Sequence, residues 1–248
     1  MAGEFGVASR QGGAHAWAML ILARLTASLA LLLLTGSVAR CADPPAHDFS
    51  KWEKDIAAFE QADAAHPPPQ GALLFIGSSN IRMWKTLAQD LPGHAVINRG
   101  FGGSEIADAT HFAPRIVYPC KPKAVYLRSG VNDLWNGKSV DQVVEDFKAF
   151  DAALAEHLPE TDLIFVSINP SIARWKQADA TREMNRRIAE HLRDRPRRRY
   201  VETYDMVLGP DGLPRPELFV ADKLHLSEEG YRLLAERVAR DVEGYAKP

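Results

Sequence analysis

Cysteine is nearly absent from this chain. Two residues, Cys41 and Cys120, cannot build a disulfide framework. Cys-x-x-Cys, His-Glu-x-x-His and Gly-x-x-x-x-Gly-Lys are all missing, so nothing in the motifs asks for a metal or a nucleotide cofactor. Charge of one sign is missing too. With 30 Lys and Arg against 32 Asp and Glu, the formal net charge is −2, which gives no global field for nucleic acid or an anionic membrane. The apolar run Leu25 to Leu34 falls well short of the roughly 20 residues that a comfortable transmembrane helix needs. There is no internal repeat and no low-complexity block.

That short run belongs to a different pattern. Arg24 precedes it, and Thr35-Gly36 and the small-residue site Ser37-Val38-Ala39 follow, giving the basic, apolar and cleavage regions of a signal peptide. Cleavage is expected after Ala39, which exports the protein to the periplasm or medium without stable membrane insertion. Met19 would start a conventional signal peptide. Arg40 before Cys41 fits a lipobox poorly, and in an oxidising compartment Cys41 could meet Cys120. The expected organisation is residues 1–39 as extension and signal peptide, 40–48 as a linker containing Pro44-Pro45, and 49–248 as one domain.

Within that domain, Ser50-Lys51-Trp52-Glu53 has capping-box spacing and opens a helix to about Ala65, which Pro67-Pro68-Pro69 stops. Strand-like runs recur at Ala72–Ile76, Ala95–Asn98, Ala124–Leu127, Leu163–Val166 and Tyr200–Glu202. Helical patterns fall at Ser139–His157, Ala178–Leu192 and Ser227–Tyr245. Strand alternating with helix implies βαβ units, hence an α/β fold with a parallel sheet covered on both faces.

Three polar or glycine clusters follow the first three strands: Gly77-Ser78-Ser79, Asn98 to Ser104 with Gly102-Gly103, and Ser129-Gly130-Val131-Asn132-Asp133. On adjacent parallel strands they would meet at one end of the sheet, where open α/β folds bind ligands. A serine there is either a nucleophile or a helix cap. The glycines offer unobstructed N–H donors or a plain loop, and Asn132 is an amide donor or a turn residue. A hydroxyl nucleophile needs a base, and among eight histidines three follow an Asp at i−3: Asp63/His66, Asp108/His111 and Asp222/His225. The first pair reads as solvent-facing at a helix end, and the second as a surface pair on a helix. Asp222 and His225 lie in a loop before Ser227 caps the last helix, where the chain can return to the strand ends.

In this order the blocks Gly77-Ser78-Ser79, Gly103, Gly130-Val131-Asn132 and Asp222-x-x-His225 resemble the SGNH hydrolases, also called the GDSL esterase/lipase family. The resemblance covers about Leu73 to the C-terminus. It implies a three-layer α/β/α sandwich around a central parallel five-stranded sheet, flavodoxin-like, and ester hydrolysis without a cofactor. It also implies Ser79 as nucleophile with Asp222 and His225 completing the triad, and an oxyanion hole from the Ser79 and Gly103 N–H groups and Asn132. One departure is Ser78, where the family has Asp. The missing Gly-x-Ser-x-Gly elbow disfavours an α/β-hydrolase.

The expected activity is hydrolysis of short acyl esters of small molecules or carbohydrates. The rivals are a lysophospholipase or thioesterase of the same fold and a non-catalytic carbohydrate- or lipid-binding module. Trp84, Trp135 and Trp175 either line a substrate rim or pack in the core. The arginines from Arg193 to Arg199 read as a solvated surface loop.

Overall fold

The apolar runs become the middle layer because their backbone polar groups pair with one another while both faces are covered. β1 (Leu73–Gly77), β2 (Val96–Gly100), β3 (Ala124–Arg128), β4 (Asp162–Val166) and β5 (Arg198–Val201) form one five-stranded sheet in the order β2-β1-β3-β4-β5. Every neighbouring pair is parallel. The computed structural model describes residues 1–4 and 47–245. The backbone divides into two units, Met1–His47 and Asp48–Pro248, and the fold set out here is that of the second. The signal-peptide pattern, its site at Ala39 and Cys41 lie outside the described residues.

Eight α-helices are described: α1 (Glu53–Ala65), α2 (Ser79–Arg82), α3 (Leu87–Asp90), α4 (Ile106–Ile116), α5 (Val131–Trp135), α6 (Val140–His157), α7 (Ala178–Leu192) and α8 (Glu228–Val242). Alternation of side chains along each strand splits the interior in two. Leu74, Ile76, Val125, Leu127, Leu163 and Phe165 face one core, with Phe112 of α4, Phe147 of α6 and Ile188 of α7. Leu73, Phe75, Tyr126, Ile164 and Val166 face the other, with Ile81 of α2, Leu87 of α3 and Leu234 of α8. This is the expected three-layer sandwich.

The chain runs from β1 outward to β2, then crosses back past β1 to β3, so the strand order reverses between β1 and β3. Crevices at the carboxyl ends of such reversals are where open α/β sheets take ligands. All three clusters found in the sequence leave strands at that end. Beneath them, fully buried Arg128 ends β3 and donates to the Ser167 carbonyl, to Thr203 Oγ1 at 3.0 Å and to Asn169 Oδ1 at 2.5 Å. One side chain thereby ties the exits of β3, β4 and β5, and burial pushes its pKa down to about 10.

Several local expectations need correction. Ser50 forms no capping box. Its N–H and hydroxyl both donate to Asp48 Oδ1, residues 50–52 form a 3₁₀ turn, and Glu53 pairs with Arg115. The arginine run is not simply a solvated loop. Arg198 and Arg199 belong to β5 and pair with Asp151 and with Asp162 and Asp241, because the last strand starts earlier than its apolar residues indicate. Asp63 is not free in solvent but holds the guanidinium of buried Arg99 at 2.5 Å.

Candidate functional site

Gly77 makes the turn that delivers Ser79. It has φ +155°, and a Cβ there would meet the Arg128 carbonyl oxygen at 2.1 Å, so no other residue lets β1 turn so close to β3. Ser78 precedes α2, is buried and makes no capping bond with its side chain. Ser79 is the first helical residue, half-buried, and its hydroxyl lies 2.9 Å from His225 Nε2. The helix-cap reading of this serine pair therefore has no support in the geometry.

His225 arrives from a point 146 residues later in the chain. Its Nδ1 lies 2.6 Å from Asp222 Oδ2. An ionised carboxylate only accepts, so Nδ1 donates, Nε2 of the neutral ring is left as acceptor, and Ser79 O–H donates to it. Asp222 Oδ1 accepts the backbone N–H groups of Leu224 at 2.8 Å and His225 at 3.0 Å. The side-chain bond from His225, followed by these backbone bonds, holds the Asp222 pKa down to about 2 although its side chain is 48% exposed.

The second and third clusters come to the same end of the sheet. Gly103 has φ +84°, and its missing side chain faces Trp52, whose ring edge would stand 3.1 Å from a Cβ. Gly102 lies against the Arg82 guanidinium. Asn132 is the second residue of α5. Its Nδ2 donates to the Ser104 carbonyl at 3.0 Å, which links the third cluster to the second, and its Oδ1 accepts from Arg174 Nη1 at 2.9 Å. Next to it, Asp133 is fully buried and accepts from the Ile106 N–H at 3.2 Å. Burial pushes its pKa up to about 6, Glu105 adds to the rise, and Lys138 opposes it from 3.3 Å.

The other Asp-x-x-His pairs do not join this arrangement. His111 stacks on Phe49 with ring centroids 3.9 Å apart. Asp108 is not at the surface: it is buried and accepts the Glu105 N–H at 2.8 Å, closing a capping box at the start of α4. Of the three tryptophans, Trp84 is core, 1% exposed, with its indole N–H on Asp90. Trp135 and Trp175 are 44% and 38% exposed, and Trp135 lies three residues beyond Asn132 in α5. Sequence reasoning missed Trp52, Asp133 and Arg174. Trp175 was noted, which brings attention within one residue of Arg174, but the contact with Asn132 has no local signal. Among the described residues, no group of three or more His, Cys, Asp or Glu is arranged to hold a metal ion.

Residues 70–233 match the model of the GDSL-like Lipase/Acylhydrolase family. No curated protein matches the chain. Among solved structures, one from Streptococcus pneumonia named for platelet activating factor shares 19% identity over 90% of this chain and 99% of its own, with TM-score 0.69. A GDSL-like lipase of Bacteroides thetaiotaomicron shares 18% over 79% and 98%, with TM-score 0.65. A catalytic mutant of an acetylxylan esterase from Geobacillus stearothermophilus shares 18% over 72% and 96%, with TM-score 0.52. At these identities the structures establish likeness of fold.

Proposed function

Since the chain belongs to the GDSL-like lipase/acylhydrolase family and is a carboxylic ester hydrolase, we propose that it is a serine esterase removing short acyl groups, acetyl above all, from small-molecule or carbohydrate esters. The observation that carries this reading is the Ser79–His225–Asp222 relay, with contacts of 2.9 Å and 2.6 Å.

In that reading His225 Nε2 takes the Ser79 proton as Oγ attacks the ester carbonyl. The oxyanion is received by the N–H groups of Ser79 and Gly103 and by Asn132, whose amide nitrogen has a second N–H besides the one given to Ser104. His225 then protonates the leaving alkoxide, and the acyl group stays on Ser79. Water, deprotonated by the same nitrogen, attacks the acyl-enzyme, and the carboxylic acid leaves as Ser79 recovers its proton. Asp222 stays ionised throughout and keeps the proton on Nδ1.

Short acyl groups fit the exposure of the Asp222 side, where little of a long chain would be buried at about 0.8 kcal/mol per methylene. The acetylxylan esterase among the fold relatives supports an acetylated carbohydrate, and exposed Trp175 supplies a face on which a sugar ring can stack, whereas the Trp135 ring already carries Arg174 and Lys176. Export, with removal of residues 1–39, is part of the proposal.

Hydrolysis of p-nitrophenyl esters from acetyl to decanoyl tests it. Acetyl and butyryl esters are expected to give the highest kcat/KM. Ser79→Ala should lose roughly three or more orders of magnitude, while Ser78→Ala keeps most activity. An undiminished Ser79→Ala sinks the mechanism. Preference for decanoyl moves the reading to a lysophospholipase or thioesterase.

A further inference from the structure

Asn132 is held at both ends of its amide, and the two partners fix its orientation. Arg174 can only donate and the Ser104 carbonyl can only accept, so Oδ1 faces Arg174 and Nδ2 faces the second cluster. A flipped amide would set donor against donor at 2.9 Å and acceptor against acceptor at 3.0 Å. Arg174 is itself well held. Nη1 also donates to the Val131 carbonyl at 3.3 Å, and the guanidinium lies 4.8 Å from the centre of the Trp135 ring. Among the described residues no carboxylate pairs with Arg174, and burial alone lowers its pKa. Its charge is therefore not cancelled by a neighbouring carboxylate. The same loop also reaches the base: the Ala173 N–H donates to the Lys223 carbonyl at 3.0 Å, inside the Asp222–His225 turn.

We propose that Arg174 is a positioning residue of the oxyanion hole, fixing the Asn132 amide and, by drawing electron density toward Oδ1, strengthening the N–H that Nδ2 offers to the substrate. The proposal rests on the reading of Asn132 as an oxyanion donor. Hydrogen bonds in a chain polarise one another, and the effect is larger when the first donor is charged and half-buried. A donor whose direction is set beforehand also needs no reorganisation as charge develops on the substrate oxygen. Arg174 does not touch the reacting atoms in this account. It acts through Asn132, and its effect should appear in kcat and vanish when Asn132 is gone.

The test is a double-mutant cycle in steady-state hydrolysis of p-nitrophenyl acetate, with a thermal melt for every variant. Arg174→Ala is expected to lower kcat about 10- to 100-fold with KM within about twofold. Arg174→Lys, which keeps the charge but not the planar fork, should recover part of the loss, and Arg174→Gln, which keeps a neutral donor, less. Added to Asn132→Ala, Arg174→Ala should cost less than about twofold more. If Arg174→Ala melts early, the Lys and Gln variants carry the cycle in its place. Equal losses in both backgrounds overturn the proposal, as does a rise in KM at unchanged kcat, which would make Arg174 a substrate contact. An Asn132→Ala variant at wild-type speed overturns it as well, while a dead Ser79→Ala would still leave the esterase reading standing.

Discussion

At the scale of single residues, the candidate site depends on which atoms are fixed before substrate arrives. Asn132 is tethered by Ser104 and Arg174, so its truncation should cost kcat and not the fold. Asn132→Ala is expected to lower kcat about 10²–10³-fold, or about 2.7–4 kcal/mol, with KM and melting temperature little changed, as kinetics beside a thermal melt would show. Asp222 makes a different prediction. Its pKa of about 2 lies below the ordinary 3.8, so its contribution is complete above the ordinary value and is lost only as pH falls through about 2. Any acid limb of kcat/KM above pH 4 is then the titration of another group. Asp222→Asn should lower the whole profile by about 10⁴-fold, because the amide no longer fixes the ring tautomer. A pH–rate profile with an inflection that disappears only in Asp222→Asn contradicts this. Residues of this kind were legible where four blocks had the right order. Arg174 was not, because its partner is set by the path of a loop and not by spacing.

At the scale of elements, the surroundings of Asn132, the proposed oxyanion donor, are organised by buried charge. The Lys138 ammonium reaches Glu105, Asp133 and Asp146, and Asp133 joins α5 to the start of α4 through the Ile106 N–H. Raised to about 6, Asp133 favours the folded state fully below its ordinary 3.8, and that contribution is lost as pH rises through about 6. The melting temperature of the wild type should therefore fall between pH 4.5 and 7 more steeply than that of Asp133→Asn. Melts across that range check it, and parallel slopes would mean that burial does not control this carboxyl. The longer helices were readable from periodicity, and Ser227, read as the cap of the last one, accepts the Gly230 N–H, whereas the short helices Leu87–Asp90 and Val131–Trp135 were not read. The elements misjudged were those that tertiary contact redefines. β5 begins among arginines because Asp151, Asp162 and Asp241 lie beside them, and Ser50 turns to Asp48 in place of the predicted box.

At the scale of the whole molecule, the proposed domain starts at residue 49, and its first residues are part of the site's surroundings. Phe49 stacks on His111 and Trp52 covers Gly103. A chain beginning at Arg40, as cleavage after Ala39 would leave it, should match the full chain in kcat and melting temperature. One beginning at Glu53 should lose stability and most activity. Purified truncations compared by melt and turnover decide this. The layer order was legible in advance because strands buried on both faces read as continuous apolar runs and the connections between them as helices. The Asp222–His225 turn has a separate consequence. Its carboxylate bonds stay within four residues, whereas its hold on Ser79 crosses the molecule. Once the Ser79 contact and the Ala173 bond to the Lys223 carbonyl part, such a turn can swing away from the strand ends with its own shape intact. Warming would then silence the protein in two stages, first by this excursion and only later by melting of the sheet. Between those stages the dormant state would be a spring catch left open, and activity regained on cooling before the sheet has melted is the result expected.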